Sequence, residues 1–347
     1  MPRGLFHLSE FSLPVSLTIA VAAAALTYGG IAGVIGWLNE RAVAKPNQRS
    51  SHTVPTPQGG GIVVVPVALL TGGVALAVSA GALPGGARTM AVVGAAALAL
   101  TIIGFLDDMR GLGVVTRFAT QVLAVGVAVV LLPSDVRIFP PFIPLPVERM
   151  VAVGAVLWFV NLFNFMDGID LISAVETVAI TLGIALLAAF GLIAAGYGYV
   201  ALALLGAMLG FAPWNAPRAR LFLGDAGSIP IGFLLGILLV HVAASNALAA
   251  ALILPLYYLA DATITLLRRL ARGEAVWQAH RQHFYQQATR NGFTVKEIVG
   301  RIALLDAVLV ALGVGSALHG ATWAGLAVLI AAVAVGLTLR TFAGPRR

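Results

Sequence analysis

Apolar runs of about 18 residues or more recur along the whole of this chain, each long enough to cross a hydrocarbon layer about 30 Å thick as a helix. Hydrocarbon offers no partner to a backbone N–H or C=O, so a spanning segment must satisfy these groups internally, as a helix does, or close into a barrel. A barrel would alternate apolar and polar residues, and these runs do not. The 347 residues are 60% hydrophobic and 10% charged, against roughly a quarter charged in a soluble domain, which excludes a water-soluble fold. The expected class is all-α, a polytopic transmembrane helix bundle.

Hydropathy divides the chain into about eleven spans, near 14–38, 60–80, 88–106, 114–133, 149–166, 171–190, 192–213, 228–246, 247–270, 299–319 and 321–340. No internal repeat and no separate soluble unit interrupts them, so residues 1–347 read as one integral membrane domain. The segment Met1 to Ser12 lacks a strongly basic stretch and a small-residue cleavage site, so the first span reads as retained. There are no cysteines, which removes disulfides and thiolate chemistry and leaves oxygen and imidazole as metal ligands.

A net charge of +7 raises nucleic acid as a partner, but in a membrane chain the position of the charge matters more than its sum. With the N-terminus outside, only Arg3, Arg88, Arg137 and Arg149 of the 21 Lys and Arg fall on the outer side. Short loops next to spans are basic on the cytoplasmic side, so the N-terminus is expected in the periplasm and the C-terminus in the cytoplasm.

The polar residues gather in the loops of that cytoplasmic side. Asp107 and Asp108 follow Gly104-Phe-Leu at one span end, and adjacent carboxylates need a cation, Arg110 or water beside them. Asn161, Asn164 and Asp167, spaced by three, share a helical face at another span end, with Gly168 as a stop and Asp170 beyond. Something polar is expected to face that stripe. Asn215, Arg218, Arg220 and Phe222 precede Gly224-Asp225-Ala-Gly-Ser228 at a helix start, where Asp225 or Ser228 could cap the helix or free N–H groups could take a phosphate. Trp277, His280, Arg281, His283 and Tyr285 share a later loop, either as an anion clamp or as an interfacial amphipathic helix. The first such loop adds Lys45-Pro-Asn47, Arg49, His52 and Gly59-Gly-Gly61, a phosphate cradle or a plain turn. Asp261 would be costly in lipid unless it faced the bundle interior.

The order of these motifs, over roughly residues 40–300, resembles the polyprenyl-phosphate N-acetylhexosamine-1-phosphate transferases of glycosyltransferase family 4. The resemblance implies transfer of a HexNAc-1-phosphate from a UDP-sugar to undecaprenyl phosphate, with release of UMP and with Mg²⁺ (or Mn²⁺) as cofactor. It implies a bacterial inner membrane protein whose active site faces the cytoplasm, with membrane lipids and a second copy of the chain as further partners and no nucleic acid. By motif position, Asp225 with Asp108 would hold the metal, and Asp107, Asp108 and Asp167 would stand at the transfer centre. Asp170, Asn215 and Phe222 would meet the uridine, and His280, Arg281 and His283 the diphosphate and sugar. Lys45, Asn47, His52, Asn161 and Asn164 complete the expected substrate-binding set. The spelling His280-Arg-Gln-His283 looks closest to the O-antigen initiating subgroup, whose donors are 6-deoxy-HexNAc sugars. The rival class is a transporter or flippase for a lipid-linked or phosphorylated sugar, which would carry its polar groups near the bilayer midplane. A structural scaffold gives no reason for clustered carboxylates.

Overall fold

The computed structural model describes residues 11–44, 54–79, 86–275 and 280–346. They form thirteen helices and one small ribbon: α1 (Leu13–Arg41), α2 (Gly61–Val78), α3 (Gly86–Arg110), α4 (Val114–Val130), α5 (Leu145–Met166), α6 (Ile172–Ala189), α7 (Ala195–Asn215), α8 (Asp225–Ala244), α9 (Leu248–Ile253), α10 (Leu256–Ala271), α11 (Phe284–Arg290), α12 (Val295–Leu318) and α13 (Ala321–Ala343). The ribbon pairs β1 (Val43–Ala44) antiparallel with β2 (Thr56–Pro57), Val43 opposite Pro57.

Among the described residues, nine helices are long and apolar enough to cross a membrane: α1, α2, α3, α5, α6, α7, α8, α12 and α13. Two of the eleven expected spans take another form. The segment near 114–133 is α4, a helix of 17 residues that ends just before Pro133, about 26 Å at 1.5 Å per residue. The segment near 247–270 is two helices, because Pro255 (φ −94°, ψ 18°) leaves the helical region and α10 restarts after it. A hydropathy window does not register that break.

The bundle is built around α8, whose apolar stretch is buried along its whole length. It packs on α2, α3, α5, α6 and α9, whereas α1 and α13 turn most of their surface outward, with Leu17, Val21, Leu329 and Val333 exposed for lipid contact. Apolar on every side, α8 is what a helix without water or lipid contact must be.

The ribbon fixes the entry to α2. Gln58 N–H donates to the Ala42 carbonyl (2.8 Å) and Phe222 N–H to the Pro57 carbonyl (2.8 Å). Gly60 and Gly61 N–H donate in turn to the carbonyls of Phe222 and Leu223, both at 3.0 Å. The ends of α1, α3, α5 and α7 and the starts of α2, α8 and α12 thereby meet at one end of the bundle.

Candidate active site

The start of α8 is capped from another helix. Asp108, near the end of α3, accepts the Asp225 N–H on Oδ1 (3.0 Å) and the Ala226 N–H on Oδ2 (3.1 Å). A carboxylate there satisfies two of the otherwise unpaired N–H groups and suits the positive end of the helix dipole. Sequence offered two readings of this turn, a cap from Asp225 or Ser228 or an open phosphate cradle. The structure replaces both, since Asp108 fills the place either would need. Gly224 is held at φ 73° and faces Asp108, so a side chain there would be strained and would strike the carboxylate. The Gln58 amide donates to the Asp108 carbonyl at 2.7 Å, tying the ribbon loop to the same point.

Asp107 is relieved by Arg117 rather than by Arg110, which is exposed. Arg117 stands in the first turn of α4, and its Nη1 lies 2.9 Å from Asp107 Oδ2 and 3.0 Å from Asp225 Oδ2. The other Asp107 oxygen accepts the Leu112 N–H. Two carboxylates from different helices thus converge on one cationic nitrogen, and Asp108 lies behind them.

The polar stripe on α5 meets two partners. Asn161 donates to Gln121 on α4 (2.9 Å) and to the Leu157 carbonyl, while Asn164 accepts the Ser228 hydroxyl of α8 at 2.7 Å. Asp167 lies past the last helical residue, half-buried. Gly168 is required by close approach rather than as a stop signal, because a Cβ there would overlap the Tyr285 hydroxyl. Asp170 accepts the Ala219 N–H at 3.2 Å. Asn215 accepts the Leu171 N–H (2.7 Å) and donates to the Leu221 carbonyl (3.0 Å), locking the loops after α5 and α7 together.

Burial pushes the Asp167 carboxyl up to about 6, with the nearby Asp170 charge adding and the Ser173 hydroxyl opposing. The folded chain therefore keeps a proton there after the unfolded chain has lost it. The stabilisation is complete below about pH 4 and is lost as pH rises through about 6. Thermal unfolding in detergent is expected to show that fall, and Asp167→Asn to flatten it; an unchanged slope in the variant would contradict the assignment.

The later basic loop is organised by Asp261 on α10. Its carboxylate accepts the N–H of Phe284 (2.9 Å) and of Tyr285 (3.1 Å) and lies 3.2 Å from His283 Nδ1. The Tyr257 and Thr265 hydroxyls reach it at 3.3 Å each. His283 is buried, and its ring lies 4.7 Å from that of His280. Burial, then the neighbouring His283 and Arg269, lowers His280 to about 4, so it is neutral at pH 7 and offers a dipole rather than a charge. Asp261→Ala strands five donors in the interior and is expected to cost about 3 kcal/mol or more, read as a lower midpoint of thermal or denaturant unfolding.

These elements enclose a cavity of about 1120 Å³. Asp108, Asn164, Asp167, Asp170, Asn215, Phe222 and Asp225 all line it, and Asp107 adjoins it through Arg117. Asn161 and the His280, Arg281 and His283 loop do not line it, although Gln286, one turn further on, does. Lys45, Asn47, Arg49, His52 and Trp277 lie outside the described residues. Sequence reading missed Arg117, Gln58 and Gln121, and read Ser228 as a helix cap rather than as the partner of Asn164. Arg117 carried a signal, an arginine one helical turn into the segment after an acidic pair, but the nearer Arg110 was the obvious partner.

The family model of glycosyl transferase family 4 matches residues 90–243, which contain every carboxylate on this cavity. An undecaprenyl-phosphate alpha-N-acetylglucosaminyl 1-phosphate transferase of Yersinia pestis is 30% identical over 295 residues, 78% of this chain and 76% of its own length. The chain belongs to glycosyl transferase family 4. Two further relatives are an enzyme of the same description from Escherichia coli, 29% identical over 78% of this chain and 76% of its own, and a decaprenyl-phosphate N-acetylglucosaminephosphotransferase of Mycobacterium tuberculosis, 28% identical over 96% and 91%. Within the family 4 region, the cavity draws together the ends of α3, α5 and α7 and the start of α8.

Proposed function

We propose that this chain transfers an N-acetylhexosamine-1-phosphate from a UDP-sugar to a polyprenyl phosphate, undecaprenyl phosphate in a bacterial inner membrane, and releases UMP. The observation that carries the reading is the pair Asp107 and Asp225 closing on Arg117 beside a polar cavity at one end of a family 4 helix bundle. The basic loops of the same end support a cytoplasmic mouth, with the helices alternating across the membrane through eleven crossings that include α4 and the α9–α10 pair.

Among the described residues, no three of His, Asp and Glu are grouped to hold an ion by themselves. Mg²⁺ does not need such a cage, since it usually takes one or two carboxylates and completes its octahedron with water and substrate phosphates. The sequence placed Asp108 beside Asp225, but both Asp108 oxygens accept N–H groups of α8, so the pair that fits better is Asp225 and Asp107, whose oxygens already share one cation. Bound there, Mg²⁺ (or Mn²⁺) would neutralise the diphosphate.

In the proposed reaction an oxygen of the lipid phosphate attacks the sugar-bearing β-phosphorus. A new P–O bond forms, the bond from that phosphorus to the bridging oxygen breaks, and the oxygen leaves with UMP. Asp107 orients the attacking phosphate, and the remaining Arg117 N–H donors take phosphate oxygens as charge develops. Asp170, Asn215 and Phe222 form the wall for the uridine. Asn164 and Asp167, which also line the cavity, are assigned to the sugar.

The step is proposed to initiate an O-antigen-like envelope polysaccharide. The test is UMP release from a donor panel with undecaprenyl phosphate and Mg²⁺. It sets UDP-N-acetylglucosamine, the sugar in the relatives' names, against the UDP forms of N-acetylfucosamine and N-acetylquinovosamine. Faster turnover of a 6-deoxy donor is expected from the loop spelled His280-Arg-Gln-His283. Release from UDP-N-acetylglucosamine alone would keep the reaction and reject the subgroup; no release from any donor would favour transport.

A further inference from the structure

A second cleft, of about 380 Å³, shares no lining residue with the catalytic cavity. Thr265 and Arg268 line it from α10 and Arg272 from the residue that caps it, with Gln282, Gln287 and Arg290 from α11 and the residues before it. The spacing of three and four places Thr265, Arg268 and Arg272 on one helical face. No carboxylate lines it among the described residues. Of the carboxylates next to the lining, Asp261 accepts the Thr265 hydroxyl (3.3 Å), and Glu274 is held through Oε2 by Arg269 (2.9 Å) and Gln282 (2.8 Å), with its Oε1 4.0 Å from Arg272. Arg268 lies over the Phe284 ring at 4.9 Å, and Arg290 donates to the Arg281 carbonyl at 2.9 Å. Two of the three guanidinium groups are thereby steadied without being neutralised.

We infer that this cleft binds the phosphate of an anionic phospholipid headgroup, at a site separate from the catalytic cavity. Guanidinium groups offer forked donors matched to phosphate oxygens, so the three arginines carry the anion, while the Thr265 hydroxyl is already engaged by Asp261 (3.3 Å). A phosphate in solution presents the same oxygens. The lipid source follows from Leu267 and Leu270, 59% and 61% exposed beside Arg268 on α10, which put apolar surface and charge on the same turns. A helix end of that kind sits at the headgroup level, with its leucines toward acyl chains. The inference requires the bundle to be membrane-embedded and is independent of the donor sugar.

The full chain in nanodiscs of phosphatidylcholine with and without phosphatidylglycerol tests it, by counting retained lipid in native mass spectrometry. The expected result is selective retention of phosphatidylglycerol. The triple variant Arg268→Gln, Arg272→Gln, Arg290→Gln should weaken it on the order of a hundredfold, about fivefold per arginine. Arg301→Gln with Arg340→Gln, basic residues outside the cleft, is the control for general surface charge. An equal loss in the control, or no preference in the unsubstituted chain, overturns the inference. Displacement of phosphatidylglycerol by millimolar inorganic phosphate would assign the cleft to a free anion and overturn the lipid source. All variants lie at exposed arginines, and an unchanged thermal midpoint in phosphatidylcholine checks that they fold.

Discussion

Gly61→Ala is expected to be the most damaging single methyl group in the molecule. A Cβ at Gly61 would overlap the backbone of Ala226 and Gly227, in the first turn of α8. Backbone cannot step aside by changing rotamer, so relief requires α2 and α8 to separate, and with them the Gly61 to Leu223 hydrogen bond. Overpacking of side chains costs about 1–3 kcal/mol, and a clash with backbone belongs at or above the upper end. Thermal unfolding in detergent should fall by many degrees, or the variant should fail to accumulate. Gly104→Ala drives a Cβ into the Asp225 carbonyl from the α3 side and should behave alike. A variant of either kind with an unchanged midpoint would mean that the start of α8 is not held between α2 and α3.

Asp225→Asn is expected to leave the fold and remove the reaction. The contact that anchors residue 225 is its backbone N–H to Asp108, which an asparagine keeps. The lost feature is one of the two negative charges on Arg117 and, in the proposed function, a metal ligand. Turnover should fall on the order of a thousandfold, the scale for removing one preorganised electrostatic group. The Mg²⁺ needed for half-maximal activity should rise as well, and adding Asp107→Asn should cost much less than its separate loss, since the two act on one centre. UMP release at saturating donor, titrated with Mg²⁺, measures all three. Near-normal turnover with unchanged Mg²⁺ dependence would remove Asp225 from the site.

Much of this was legible before any coordinates, for identifiable reasons. Apolar length names a membrane helix wherever it occurs, and the carboxylates on the cavity stood out because charge at a span end is costly without a purpose. Less legible was whatever depends on two distant segments meeting. That Asp108 caps α8 could not be read, because 117 residues separate donor and acceptor and each end looked self-sufficient. Of the polar partners of the α5 stripe, Gln121 is unremarkable in its own segment, and Ser228, which read as a cap, is seen to meet Asn164 only when α5 and α8 are side by side. Hydropathy also could not tell α8 at the centre from α13 at the rim, since both are apolar all round. The break at Pro255 was hidden because apolar residues continue on both sides of it.

The loan of Asp108 to the start of α8 also bears on biogenesis. An early-synthesised helix carries the group that completes a late one, so the capped start of α8 cannot form until α8 has found its place beside α3. Under the proposed function, a partly inserted chain lacking that cap is expected to be inactive.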